Sequence, residues 1–353
     1  MCPEILKIGP FTIYSYGLML ATGFMVGSYF LTQELRRRKL NRNVTRSFFV
    51  VMRWLVIALI ALIIISALVE FGSDIFSVLA ALAGKNPVFL LIIAAFVAVS
   101  AYIFTQAKNP RPQTEVDLST AVVLIALVYG VFGTKILFLF ENMESFLQRP
   151  FDMLISTSGL SFFGGPVLVV IVLALMLRRE DLKFFAVADS AAPSLLLAYG
   201  IGRLGCHFAG DGCYGFPTSL PWGTDYSSGV VPPSQALRRF PEIAGQFPDG
   251  IPDTTPLHPT PVYEFLACAL LFLVLWRFRK SIRIEGRIFM LYLVFAGLER
   301  FAVEFLRLNP RVLFGLSGFQ IFAFLMILAG LVGWYLLGKR GSGAMQTGAE
   351  RKA

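Results

Sequence analysis

The chain has 353 residues, of which 56% are hydrophobic and 15% charged, with a mean hydropathy of +0.70. A soluble domain carries about 25% charged residues, a disordered chain is far more polar, and a disulfide scaffold needs more than the four cysteines present, so a membrane protein is the class that remains. The 31 Lys and Arg against 22 Asp and Glu give a net charge of +9, which suits nucleic acid, anionic lipid or cytoplasmic loops according to how it is distributed.

About 20 apolar residues are needed to cross roughly 30 Å of hydrocarbon. Residues 8–33, 54–69, 86–107, 118–134, 153–177 and 312–338 contain no Asp, Glu, Lys or Arg. Three further apolar stretches, 183–203, 261–276 and 286–307, carry a few ionisable groups. The sequence therefore predicts an all-α polytopic membrane protein of about nine transmembrane helices. The first stretch lacks a basic leader and is followed by Arg36, Arg37, Arg38 and Lys39, which reads as a retained span and not a cleavable signal peptide.

Those basic residues place the far end of the first span in the cytoplasm, with the N-terminus outside and the C-terminus inside. Under that topology the cytoplasmic segments 34–48, 107–117, 178–183, 277–287 and 338–353 hold 20 basic and 7 acidic residues. The remainder holds 11 basic and 15 acidic residues, so no basic surface is left for nucleic acid. Residues 204–260, which include nine of the 19 prolines, read as a small irregular extracytoplasmic head. The almost purely aliphatic helices near 49–69 and 87–106 lie within an inserted pair, 40–114, and the polar tail from Gly341 reads as unstructured.

Charge at bilayer depth costs at least about 2.5–3.5 kcal/mol per residue and usually serves a cavity, a partner or chemistry. Arg300, Glu304 and Arg307 are spaced i, i+4, i+7 and share one helix face. Arg203 ends the span before the head, Glu264 begins the span after it, and Lys135 lies late in the fourth span. A guanidinium fork grips anionic oxygens bidentately and never loses its charge, so the convergence of these spans on one side points to a phosphate. Each element has a plainer reading: Arg300 with Glu304 as a structural lock, Arg307 snorkelling, and Lys135 as a packing partner.

The segment from Asp189 to Gly223, DSAAPSLLLAYGIGRLGCHFAGDGCYGFPTSLPWG, resembles the signature region of the prolipoprotein diacylglyceryl transferase family. Three further motifs follow the family's order: Tyr16-Gly17-Leu18, His258-Pro259-Thr260-Pro261-Val262-Tyr263-Glu264, and Gly286-Arg287-Ile288-Phe289 with Glu299-Arg300-Phe301-Ala302-Val303-Glu304-Phe305-Leu306-Arg307. The resemblance covers 8–33 and 115–337. It implies a bacterial inner-membrane enzyme that moves the diacylglyceryl group of phosphatidylglycerol to the lipobox cysteine of a prolipoprotein, recognised with its signal peptide, and releases glycerol phosphate.

By the same resemblance Arg203 and Arg300 hold the phosphate, Arg307 lies nearby and Glu304 fixes Arg300. Tyr16, Asp211, His258, Tyr263, Glu264 and Lys135 line the path of lipid and precursor. No metal or organic cofactor is implied. The sequence departs from the family pattern at Phe163, which occupies a histidine position, and at Lys135, which replaces an arginine. It departs again at Cys206-His207 in place of Asn-Phe, at Ala209 and Asp211, and by one residue inserted before Gly215.

His207 is accordingly the expected replacement base. Cys206 and Cys213 flank His207 and Asp211, which leaves two readings open: a disulfide, which is favoured, or a zinc site, for which the spacing is not a standard one. Two other functions stay open beside the transferase, a paralogue with the same lipid-phosphate site and another acceptor, and a non-catalytic lipid-binding or transport protein.

Overall fold

The computed structural model describes all residues except 9–10, 72–86, 109–114, 157–160, 162 and 351–353. It is mostly helical and divides into two units, Met1–Leu35 with Phe185–Ala353, and Arg36–Phe184. Among the described residues five helices are long and apolar enough to cross a membrane: Thr45–Val69, Leu118–Glu141, Phe184–Ala209, Thr260–Phe278 and Gly318–Lys339.

The first unit opens on strands β1 (Glu4–Ile8) and β2 (Phe11–Tyr14), paired antiparallel. Helix α1 (Ser15–Arg37) therefore starts at Ser15, and the first residues of the stretch expected to begin a span at residue 8 are extended instead. A short apolar run with alternating polar residues, as in Thr12 between Phe11 and Ile13, has strand and helix readings of similar strength until its pairing is known.

In the second unit the elements are α2 (Thr45–Phe71), α3 (Pro87–Lys108), α4 (Leu118–Glu141), α5 (Met143–Gln148), α6 (Pro150–Ile155) and α7 (Gly164–Arg179). Asp117 caps α4 by accepting the Thr120 N–H at 2.9 Å, and Asn41 donates to the same carboxylate at 2.9 Å. Accepting these bonds holds its carboxyl below the usual range although its partial burial opposes this. The stretch 153–177, expected as one span, is broken: α6 ends at Ile155 and α7 begins at Gly164.

The first unit resumes with α8 (Phe184–Ala209), two short helices α9 (Pro233–Leu237) and α10 (Pro241–Ala244), α11 (Thr260–Phe278) and α12 (Arg287–Val303). The strand pair β3 (Arg311–Leu313) and β4 (Leu316–Ser317) leads into α13 (Gly318–Glu350). The last helix thus continues through the segment expected to be unstructured from Gly341, while residues 351–353 of that tail lie outside the described residues.

Ala192, Leu196, Cys268, Phe272, Leu275 and Ile288 form one buried core shared by α8, α11 and α12. Asp189 fastens the same helices: its carboxylate accepts the N–H groups of Gly286 and Phe289, both at 2.8 Å, at the start of α12, where Gly286 offers no capping side chain. The segment 204–260 has a second core of Tyr214, Tyr226, Leu237, Ile243 and Leu257, so it is packed although it holds only two short helices and isolated bridges.

Candidate active site

Three arginines from α8, α12 and the chain just beyond α12 converge on two carboxylates. Glu264, in the first turns of α11, is fully buried. Its Oε1 accepts Arg203 Nη2 at 3.0 Å and Arg307 Nη1 at 2.8 Å, and Arg300 Nη1 stands 3.6 Å away. Its Oε2 pairs with Arg203 Nε and accepts the Tyr199 hydroxyl at 2.8 Å. Glu304 is equally buried. It takes Arg300 Nη2 at 2.8 Å on Oε2, while its Oε1 accepts the Ser317 hydroxyl at 2.6 Å and the Asn309 amide at 2.7 Å. The Arg300 guanidinium lies over the Phe319 ring, 4.6 Å from its centroid.

Small residues permit this convergence. A Cβ at Gly200 would sit 3.0 Å from Cys268 Cβ and 3.4 Å from Phe265 Cα, so α8 approaches α11 closely one turn from Arg203 and Glu264. A Cβ at Gly215 would lie 2.3 Å from the Leu306 carbonyl oxygen. That close approach lets Gly215 bridge to Arg307 and donate its N–H to the His258 carbonyl at 2.9 Å, tying the start of the head to its end and to the chain beyond α12.

The remaining expected residues fall into neighbouring groups. Tyr16 opens α1 and is exposed, with its Cα against the backbone of α8 at Gly205. His258 Nδ1 lies 3.3 Å from the Tyr263 hydroxyl, which also accepts the exposed Trp222 Nε1 at 2.7 Å. His207 Nδ1 is 2.9 Å from the Tyr226 hydroxyl. Burial first, then neighbouring tyrosine and acidic groups, pushes the Tyr226 phenol well up. Lys135 belongs to the other unit, where its Nζ donates to the carbonyl and hydroxyl of Ser156 at 2.8 and 3.1 Å.

Cys206 and Cys213 are free thiols, which corrects the expected disulfide. Arg203 Nη1 lies 3.4 Å from Cys206 Sγ and 3.6 Å from Cys213 Sγ, so the arginine that binds Glu264 with one edge of its fork touches both sulfurs with the other. Asp211 Oδ1 accepts the Cys213 N–H at 3.1 Å. The hydrogen bond with Cys206, and then the Arg203 and Arg307 cations, hold the Cys213 thiol below the usual thiol range against the effect of burial.

Tyr199, Trp222, Asn309 and Ser317 were not singled out by sequence. Tyr199 had a signal, since it stands four residues before Arg203 on the same helix face. Glu299, buried beside Arg300 with Oε1 lacking a hydrogen-bond partner, lay inside a quoted motif without a role.

The family model described as prolipoprotein diacylglyceryl transferase matches residues 3–80 and 89–336. The chain belongs to that family. Three relatives named phosphatidylglycerol–prolipoprotein diacylglyceryl transferase illustrate the similarity. That of Xanthomonas campestris pv. campestris strain B100 is 31% identical over 255 residues, 69% of this chain and 84% of the relative. That of Geobacter sulfurreducens is 30% identical over 260 residues, 71% and 90% of the two chains. That of Clostridium tetani is 29% identical over 214 residues, 60% and 78%. In this family member, then, the three arginines gather in segments that the family model covers, and Cys206, Asp211 and Cys213 lie beside them.

Proposed function

We propose that this chain transfers the diacylglyceryl group of phosphatidylglycerol to the thiol of a prolipoprotein lipobox cysteine, forming a thioether and releasing glycerol phosphate. One observation carries the reading: three largely buried guanidiniums are bonded to two carboxylates, which leaves one positive charge in excess at a single place. An anionic headgroup neutralises that excess.

The chemistry uses it further. The acceptor sulfur attacks the glyceryl carbon, the bond from that carbon to the phosphate oxygen breaks, and the phosphodiester monoanion becomes a phosphomonoester that gains negative charge as it leaves. Donors aimed at charge that develops in the transition state are typically the largest single contribution to catalysis. Arg203 and Arg300 supply them, Glu264 and Glu304 hold their forks in place, and Arg307 completes the field. Tyr16, Tyr263, His258 and Trp222 border the route of lipid and precursor, and Asp211 stands beside Arg203's sulfur contacts.

The acceptor thiol must also lose its proton, and Phe163 offers no base where a histidine was expected by resemblance. His207 is next to Cys206, but its Nδ1 is engaged with Tyr226, which favours a positioning role for the ring. The proposed topology is nine spans in a bacterial inner membrane with the N-terminus outside, on the strength of the loop charge bias. The purified protein, given phosphatidylglycerol and a lipobox peptide, is expected to add a diacylglyceryl group to the peptide cysteine, read by mass spectrometry. No adduct, with a relative from this family active in parallel, overturns the reading.

A further inference from the structure

We propose that Cys206, Asp211 and Cys213 bind one thiophilic divalent cation, of which zinc is the model, and leave its fourth position open to the acceptor thiol. The family resemblance implies no metal, and the sequence left a zinc site as the less favoured reading of these cysteines. The geometry points the other way.

The two sulfurs and a carboxylate oxygen of Asp211 all lie within 4.8 Å of one another. Two thiolates on a tetrahedral zinc stand about 3.8 Å apart for metal–sulfur bonds of about 2.3 Å, so closure needs only small shifts. The ligands are held by the fold. Cys206 sits in the last turn of α8, which ends at Ala209. Gly210 and Gly212 then adopt left-handed conformations, with φ of 60° and 85°, and fold the chain back so that Asp211 and Cys213 return to Cys206. The loop is pinned by Val231 N–H to the Gly210 carbonyl at 2.9 Å and by the Thr260 hydroxyl to the Cys213 carbonyl at 2.7 Å.

Charge and second contacts agree with a metal. Two thiolates and one carboxylate are a donor set that suits a thiophilic divalent cation. Arg203 Nη1, placed against both sulfurs, becomes the outer donor that metal–thiolate sites characteristically have. Three protein ligands with an open position is the arrangement of catalytic zinc, whereas four closed ligands mark a structural site. Cys206 is buried, while Asp211 and Cys213 are half-exposed, so the ligand set is partly accessible to solvent.

The role rests on the proposed transferase activity. A thiol coordinated to such a cation is deprotonated outright. The acceptor thiol binds and its proton passes to water. The sulfur's electron pair then forms the bond to the glyceryl carbon as the carbon–oxygen bond breaks, its electrons going to the phosphate oxygen at Arg203 and Arg300. The thioether product is a weaker ligand and leaves. This supplies what Phe163 cannot.

The test uses the full-length protein in detergent, stripped with a chelator and given zinc or cobalt(II). One metal per chain by elemental analysis and a thiolate-to-cobalt charge-transfer band are expected, both lost in the Cys206→Ser/Cys213→Ser double variant whose circular dichroism and melting show that it folds. A lipobox peptide should shift the cobalt spectrum and its cysteine-to-serine analogue should not. Metal retained by the double variant, a Cys206–Cys213 disulfide as the resting form, or a cobalt spectrum indifferent to the peptide overturns the proposal. Adduct formation unchanged after complete metal removal overturns the metal's role while the transferase reading stands. A peptide-responsive cobalt band without adduct supports the site and counts against the transferase reading.

Discussion

Two buried ionic assemblies in the same unit invite comparison. Glu34 and Arg279 pair at 3.1 Å, and the guanidinium lies over Trp276, 3.5 Å from the ring centroid. The arrangement joins α1 to the end of α11. At Glu264 and Glu304 the count is unequal, three cations to two anions, and the arginines hold the carboxylates from several directions. Both are costly to bury, and in the second the guanidiniums outnumber the carboxylates that hold them. Excess charge, and not the presence of an ion pair, is what marks a working site in hydrocarbon.

The sharpest way to break that distinction is to remove donors from the larger assembly. Arg203→Ala and Arg300→Ala should each lower adduct formation by roughly 10²–10³-fold or more, the usual cost of one donor to developing negative charge. Near-normal turnover in both would remove the phosphate role. Arg279→Met should leave activity per folded molecule intact while its melting temperature falls.

Stability separates the two assemblies from the other direction. Glu264→Gln strands Arg203 and Arg307 together, and breaking a buried pair in this way costs about 3–5 kcal/mol. Glu34→Leu with Arg279→Met removes both partners at once and should be neutral or stabilising, because the desolvation of each charge is also removed. A melt in which the double variant loses as much as Glu264→Gln would erase the contrast. The smallest effect is expected from histidine. His207→Asn and Phe163→His should each change the rate modestly and leave the shape of the pH–rate profile as it is; loss of a limb in His207→Asn would return the proton to the imidazole.

The arginine assembly was legible because charge stands out against apolar runs, but the single helix face expected for Arg300, Glu304 and Arg307 is corrected by the structure: α12 ends at Val303, and Glu304 and Arg307 reach the site from the turn and bridge beyond it. Of the nine expected spans, five are matched among the described residues by helices long and apolar enough to cross a membrane, and these were legible for the same reason. The break between Ile155 and Gly164 was hidden, since an uninterrupted apolar composition does not record where a helix stops. The N-terminal hairpin was hidden by its brevity. Cys206 and Cys213 were the least readable pair, because their separation follows no ligand pattern and two left-handed glycines bring them together. Lys135 was placed with the arginines on polarity and on the resemblance; in the second unit its Nζ donates to Ser156.

The central claim is that the positive charge of Arg203, Arg300 and Arg307 in excess of Glu264 and Glu304 is a seat for a lipid phosphate. Phosphatidylglycerol binding to the detergent-solubilised protein, read by native mass spectrometry against phosphatidylcholine, tests it directly. Wild type and the Glu34→Leu/Arg279→Met variant should retain bound phosphatidylglycerol, and Arg203→Ala and Arg300→Ala should lose it. Equal retention in all four proteins would contradict the account.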